Sequence, residues 1–276
     1  MKPFVLSFLL VVTATRPSTT QDAVVIPVTT HRGAVTSIIR LEGFVYKPGG
    51  VGKFPVVIFS HGSAGGDPRL TEPAAEISQY YVSRGFAVVV AMRRGRGKSE
   101  GSSLESEERN CDPTSWEPGI EAAFEDLTGV IDYAWRLPFV DSSQTILAGA
   151  SRGGFLSVAY AARGSRRTRV VGVINFVGAW VAQAEDQCPL DFNYLSFEQF
   201  GHQTATPMLW LYGDHDLLNS TTSIRSYVKV FQTSGGNVRF VLVPNVPDNG
   251  HSLPRYLDLW RRPSDEYLAA LGLRGR

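Results

Sequence analysis

Apolar residues follow three rhythms along the chain. Alternation dominates "AVVIPVTT" (23–30) and "AVTSIIRLEGFVYKP" (34–48). This period of two predicts a pair of antiparallel strands turning at "HRG". Short unbroken apolar runs follow in "FPVVIFSHG" (54–62), "FAVVVAMR" (86–93), "QTILAGA" (144–150), "RVVGVINFVGAW" (169–180), "TPMLWLYGD" (206–214) and "VRFVLVP" (238–244). Such runs suit strands buried on both faces. Helical spacing appears between them, in 72–85, 119–137, 155–163, 222–236 and 264–274. Gly85 and the Gly235–Gly236 pair mark helix ends, because glycine readily closes a helix in the left-handed region.

Strands alternating with helices predict an α/β protein. Its mostly parallel central sheet would have about eight strands, with helices on both faces. Right-handed crossovers would bring the strand C-termini to one edge, where open sheets of this kind hold ligands. The stretch from 180 to 203 fits neither rhythm, although it contains Phe192, Tyr194, Phe197 and Phe200. It is read as a small cap over that edge, with an aromatic-packed surface excursion as the alternative.

The N-terminus has another pattern. Lys2 precedes the apolar "PFVLSFLLVV", and "TATRPSTTQD" then turns small and polar. The apolar run is too short to span a bilayer, and the layout is that of a cleavable export signal. Residues 1–22 are therefore read as a leader and 23–276 as a single domain, exported to the periplasm or secreted, with no integral membrane segment after cleavage. Export would permit a Cys111–Cys188 disulfide, against the alternative of two ordinary thiols. Neither cysteine has metal-ligand spacing. The formal charge of +1 gives no electrostatic reason to expect nucleic acid as a partner.

Candidate chemistry begins with two matches to G-x-S-x-G, "GASRG" around Ser151 and "GKSEG" around Ser99. A nucleophilic serine of this type needs a buried strand before it and a helix after it. Ser151 meets both requirements. Ser99 sits between "MRRGRGK" and "SSLESEER" and is read as a solvated loop residue. A phosphate-loop reading of "RGRGKS" fails because Met92 stands where its first glycine is required.

A serine nucleophile needs a base and an orienting carboxylate, in the chain order Ser, Asp or Glu, His for this architecture. Among the five histidines, His251 follows the last strand and is the expected base. "YGDHD" offers Asp214 and Asp216, and Asp216 is favoured because it has more reach. The expected oxyanion donors are the backbone N–H groups of Arg152 and of Ser63, in the glycine-rich loop 60–66. Arg94 and Arg96 either approach a substrate carboxylate, lie in solvent or pair with "ESEER". No metal or other cofactor is required, and substrate-binding residues are not identified.

"FSHGSAGG", "VVVAMRRGRGKSEG", "LAGASRGG", "LYGDHD" and "NGH", in that order, resemble the α/β-hydrolase superfamily, in its dienelactone hydrolase-like and prolyl-oligopeptidase-like branches. Dienelactone hydrolases proper carry a cysteine nucleophile, where this chain has Ser151. The resemblance implies the α/β-hydrolase fold and a serine esterase acting on a small-molecule ester through Ser151, His251 and Asp216. A small serine peptidase or amidase and a non-catalytic binding protein on the same fold are the alternatives.

Overall fold

The computed structural model describes residues 20–63, 67–105, 113–182 and 191–273. The expected leader, Cys111, Cys188 and the first part of the expected cap lie outside them, apart from Thr20–Asp22 and residues 180–182. Eight strands, β1 (Thr20–Arg32), β2 (Val35–Lys47), β3 (Phe54–Ser60), β4 (Ala87–Ala91), β5 (Val140–Ala150), β6 (Val170–Phe176), β7 (Met208–Gly213) and β8 (Val238–Val243), form one sheet. Their spatial order is β1-β2-β4-β3-β5-β6-β7-β8. β1 and β2 are antiparallel to their neighbours, and the rest of the sheet is parallel. The α/β fold expected from the apolar rhythms is present.

The helices are α1 (Ala75–Val82), α2 (Glu117–Arg136), α3 (Arg152–Arg163), α4 (Phe192–Gln203), α5 (Thr221–Thr233) and α6 (Leu257–Ala270). α3 is buried along nearly its whole length. Its run of small residues lets it lie close on β5 and β6. α4 was not apparent as a helix in the sequence. Asp191 caps it by accepting the Tyr194 N–H, and Phe197 and Phe200 enter the core. Phe197 packs against Phe155, Trp210 and Tyr227. α6 begins seven residues earlier than its pattern suggested, because Pro263 lies within the helix instead of opening it.

The outer margin of β1 is partly blocked. The His31 N–H donates to Glu125 Oε1 of α2 at 2.9 Å. Strand alternation then directs the backbone of residue 27 to the same margin, where proline has no N–H to offer. Both features hinder the addition of another strand there.

Candidate active site

β5 ends at Ala150 and α3 starts at Arg152, so the chain reverses at one residue. Ser151 has φ 54° and ψ −123°, a conformation costly for any residue with a Cβ. Two hydrogen bonds hold it there. The Ser151 N–H donates to Phe176 O on β6 at 2.9 Å, and Phe155 N–H donates to Ser151 O at 3.0 Å. Gly149 and Gly153 give the backbone room, since a Cβ at either position would overlap neighbouring main chain. The serine thus stands at the C-terminal edge of the sheet, facing the amino end of α3, which favours developing negative charge.

The loop after β3 lies against it. A Cβ on Gly62 would sit 3.3 Å from Ser151 Cβ. Ser63 follows in the same loop and is partly exposed. His61 is 2% exposed and organises this turn. Its Nε2 accepts the Arg93 N–H at 3.0 Å, which leaves Nδ1–H to donate to Gly62 O at 2.7 Å. Burial, reinforced by the Arg93 charge, pulls the His61 pKa down to about 3, so the imidazole is neutral.

Arg93 clamps the turn from outside, donating to His61 O at 2.7 Å and to Gly62 O at 3.0 Å. Glu105 holds Arg93 through both carboxylate oxygens and also accepts from Arg152 Nη1 at 3.4 Å. Burial alone would push the Glu105 carboxyl up, but the arginines outweigh it and set it at about 2. The Arg152 Nε–H donates to Trp180 O at 3.0 Å, which ties the residue after Ser151 to the loop beyond β6.

β7 delivers the acidic loop. Gly250 packs so closely on Gly213 and on the backbone of Asp214 and Asp216 that neither glycine has room for a side chain. That contact brings the histidine loop to the acidic loop. His251 Nδ1–H donates to Asp216 Oδ2 at 2.8 Å. The other oxygen of Asp216 accepts N–H groups from Leu218 at 2.7 Å and Asn219 at 3.2 Å. Its carboxylate is fully buried, while the His251 side chain is 21% exposed. Asp214 instead accepts from Thr221 at 2.7 Å and from the His215 N–H at 2.9 Å, beside the start of α5.

Two of the three expected triad members are therefore directly bonded. Among the described residues, no hydrogen bond joins Ser151 Oγ to His251. Catalytic hydrogen bonds commonly tighten only when substrate binds.

The other sequence candidates separate cleanly. The Ser99 hydroxyl donates to Met92 O at 2.7 Å and accepts the Glu42 N–H, pinning the turn after β4 to β2. Arg94 is buried against Asp126, at 2.8 Å, and Glu125, at 2.9 Å, so it belongs to the scaffold. Arg96 lies 3.9 Å from Glu105, the first residue of "ESEER". His31 bonds Glu125, while His202 and His215 are exposed. Sequence reasoning missed the Arg93–Glu105–Arg152 assembly. The one available signal was three arginines within four positions after a buried strand. Among the described residues, no group of side chains could hold a metal ion, and no helix is long and apolar enough to cross a membrane.

The fold has many solved relatives. A candidate dienelactone hydrolase from Klebsiella pneumoniae subsp. pneumoniae is 15% identical with a TM-score of 0.65, over 92% of this chain and 99% of that one. Est1E from Butyrivibrio proteoclasticus, seen with ferulic acid bound, is 21% identical with a TM-score of 0.61, over 84% and 96%. An acetyl xylan esterase from Paenibacillus sp. R4 is 15% identical with a TM-score of 0.61, over 93% and 89%. These likenesses establish the α/β-hydrolase fold. No protein of curated function matches the sequence significantly. Residues 37–207 match the family model described as X-Pro dipeptidyl-peptidase (S15 family), which spans more than half of the chain, including Ser151 and the Gly62 loop. The chain belongs to the X-Pro dipeptidyl-peptidase (S15) family.

Proposed function

We propose that this protein is a serine hydrolase that cleaves small-molecule carboxylic esters by acyl transfer. The observation that carries the reading is the strained Ser151 turn on the sheet edge that also holds the 2.8 Å His251–Asp216 hydrogen bond. With Nδ1–H committed to Asp216, His251 presents Nε2 as the base. It takes the Ser151 proton as Oγ attacks the ester carbonyl. Asp216 fixes the tautomer and stabilises the imidazolium that forms. The N–H groups of Arg152 and Ser63 receive the oxyanion, and losing one such donor costs about 3–4 kcal/mol. His251 then protonates the leaving alcohol, and water repeats the sequence on the acyl-enzyme.

Family membership favours a second reading, cleavage of a peptide or aminoacyl amide by the same residues. Fluorophosphonate labelling of wild type and Ser151→Ala, followed by turnover of an ester and aminoacyl-amide panel, tests both. Labelling lost in the variant, with ester turnover well above amide turnover, is the expected result. Amide turnover equal to ester turnover would favour the peptidase. Equal labelling of the variant would remove Ser151 from its role. No labelling and no turnover by the folded wild type would leave a binding protein.

A further inference from the structure

We propose that Tyr212 and Asn175 form a buried brace that sets the spacing between the strand carrying the acid and the turn carrying the nucleophile. Both are therefore positioning residues for hydrolysis. The proposal rests on the serine-hydrolase reading. Both side chains are fully buried. Tyr212 is next to the last residue of β7, four positions before Asp216. Its hydroxyl donates to Gly178 O at 2.6 Å and accepts from Asn175 Nδ2 at 3.2 Å.

Asn175 stands on β6 opposite Gly149 of β5, two residues before the turn. Its Oδ1 lies against the first turn of α3, so close that a Cβ on Gly154 or on Gly178 would overlap it. Glycine at both positions leaves room for this amide. Among the described residues, Oδ1 has no hydrogen-bond partner. A buried, unpaired carbonyl is costly to keep, so packing alone gives no reason for an amide here.

The segment between the two residues is also strained. Val177 has φ 46°, a genuine outlier for a β-branched residue. It is held by its N–H bond to Leu211 O of β7 at 2.8 Å and by the adjoining Tyr212–Gly178 bond. Trp180, which receives the Arg152 side chain, follows three residues later. One phenol hydroxyl thus joins β7, the loop beyond β6 and, through Asn175, the opening of α3. Serine and acid reach the site on different elements, and this is where those elements meet internally.

The test uses Tyr212→Phe, which keeps the ring among Trp210 and Phe240, Asn175→Ala and the double variant, with Ser151→Ala as control. Wild type must first turn over an ester that Ser151→Ala does not; failure at that step counts against the serine-hydrolase reading instead of the brace. Given that activity, each single variant should lower kcat about 10- to 100-fold, with KM within about twofold, because the groups never touch substrate. The fluorophosphonate labelling rate should fall in parallel. The double variant should lose little more than the worse single one, as expected of residues acting as a unit. A folded Tyr212→Phe protein with wild-type kcat would overturn the proposal, even if its melting temperature were lower. So would fully additive losses in the double variant. If Asn175→Ala fails to fold, Tyr212→Phe alone decides.

Discussion

Glu105 gives the sharpest quantitative test of how the site is held. Its side chain is 5% exposed and sits among the guanidinium groups of Arg93, Arg152 and Arg96. Its carboxyl falls from 4.5 to about 2 on folding. A folded-state pKa below the unfolded one means that the unfolded chain binds the proton more readily. Stability is therefore fully present above pH 4.5 and is lost as pH falls towards 2. The whole fall is worth about 3 kcal/mol, of which roughly 2 kcal/mol is gone by pH 3. Glu105→Gln removes this contribution and takes the carboxylate from a buried Arg93, at a cost of about 3–5 kcal/mol at pH 7. Urea unfolding from pH 3 to pH 8 reads both effects. The variant should be weaker at neutral pH, and its curve should approach that of wild type as the solution is acidified. It should also lose kcat, because Arg93 holds the His61 and Gly62 carbonyls in the turn beside Ser151. Equal stability at pH 7 with the same acid slope would refute the account of this cluster.

Two further outcomes follow from the same geometry. His61 is neutral in the fold, with its pKa down at about 3, whereas the unfolded imidazole titrates at 6.5. Wild type should therefore lose about 2 kcal/mol between pH 7.5 and pH 5 from this residue, a loss missing from the chemical denaturation of His61→Gln. Asp216→Ala should lower kcat by about 10⁴-fold. Asp214→Ala should leave kcat within about tenfold, because Asp214 bonds Thr221 and the loop backbone instead of the base; equal losses in the two would reject Asp216 as the orienting acid.

The sequence made the parallel sheet legible because strands buried on both faces need unbroken apolar runs. It marked Ser151 because a reversal within one residue demands small neighbours. Asp214 and Asp216 were harder to separate, since both follow Gly213. Only the packing of Gly250 on that loop decides which carboxylate meets the imidazole. α4 escaped notice because its inward face is built from Phe192, Phe197 and Phe200 among polar residues and Gly201, with no sustained apolar stripe. The arginines of "MRRGRGK" look solvated in one dimension. They are buried because Glu105, Glu125 and Asp126 arrive from later segments, and such pairing leaves no local periodicity.

The φ of 54° at Ser151 sets the proposed function against the stability of the fold. An L-amino acid is a poor occupant of that turn, and glycine would rest there with less conflict. A chain relieved in this way would fold more firmly and have no hydroxyl to offer. Selection for robustness alone would favour glycine there, and under the proposed function only the need for the Ser151 hydroxyl opposes that exchange.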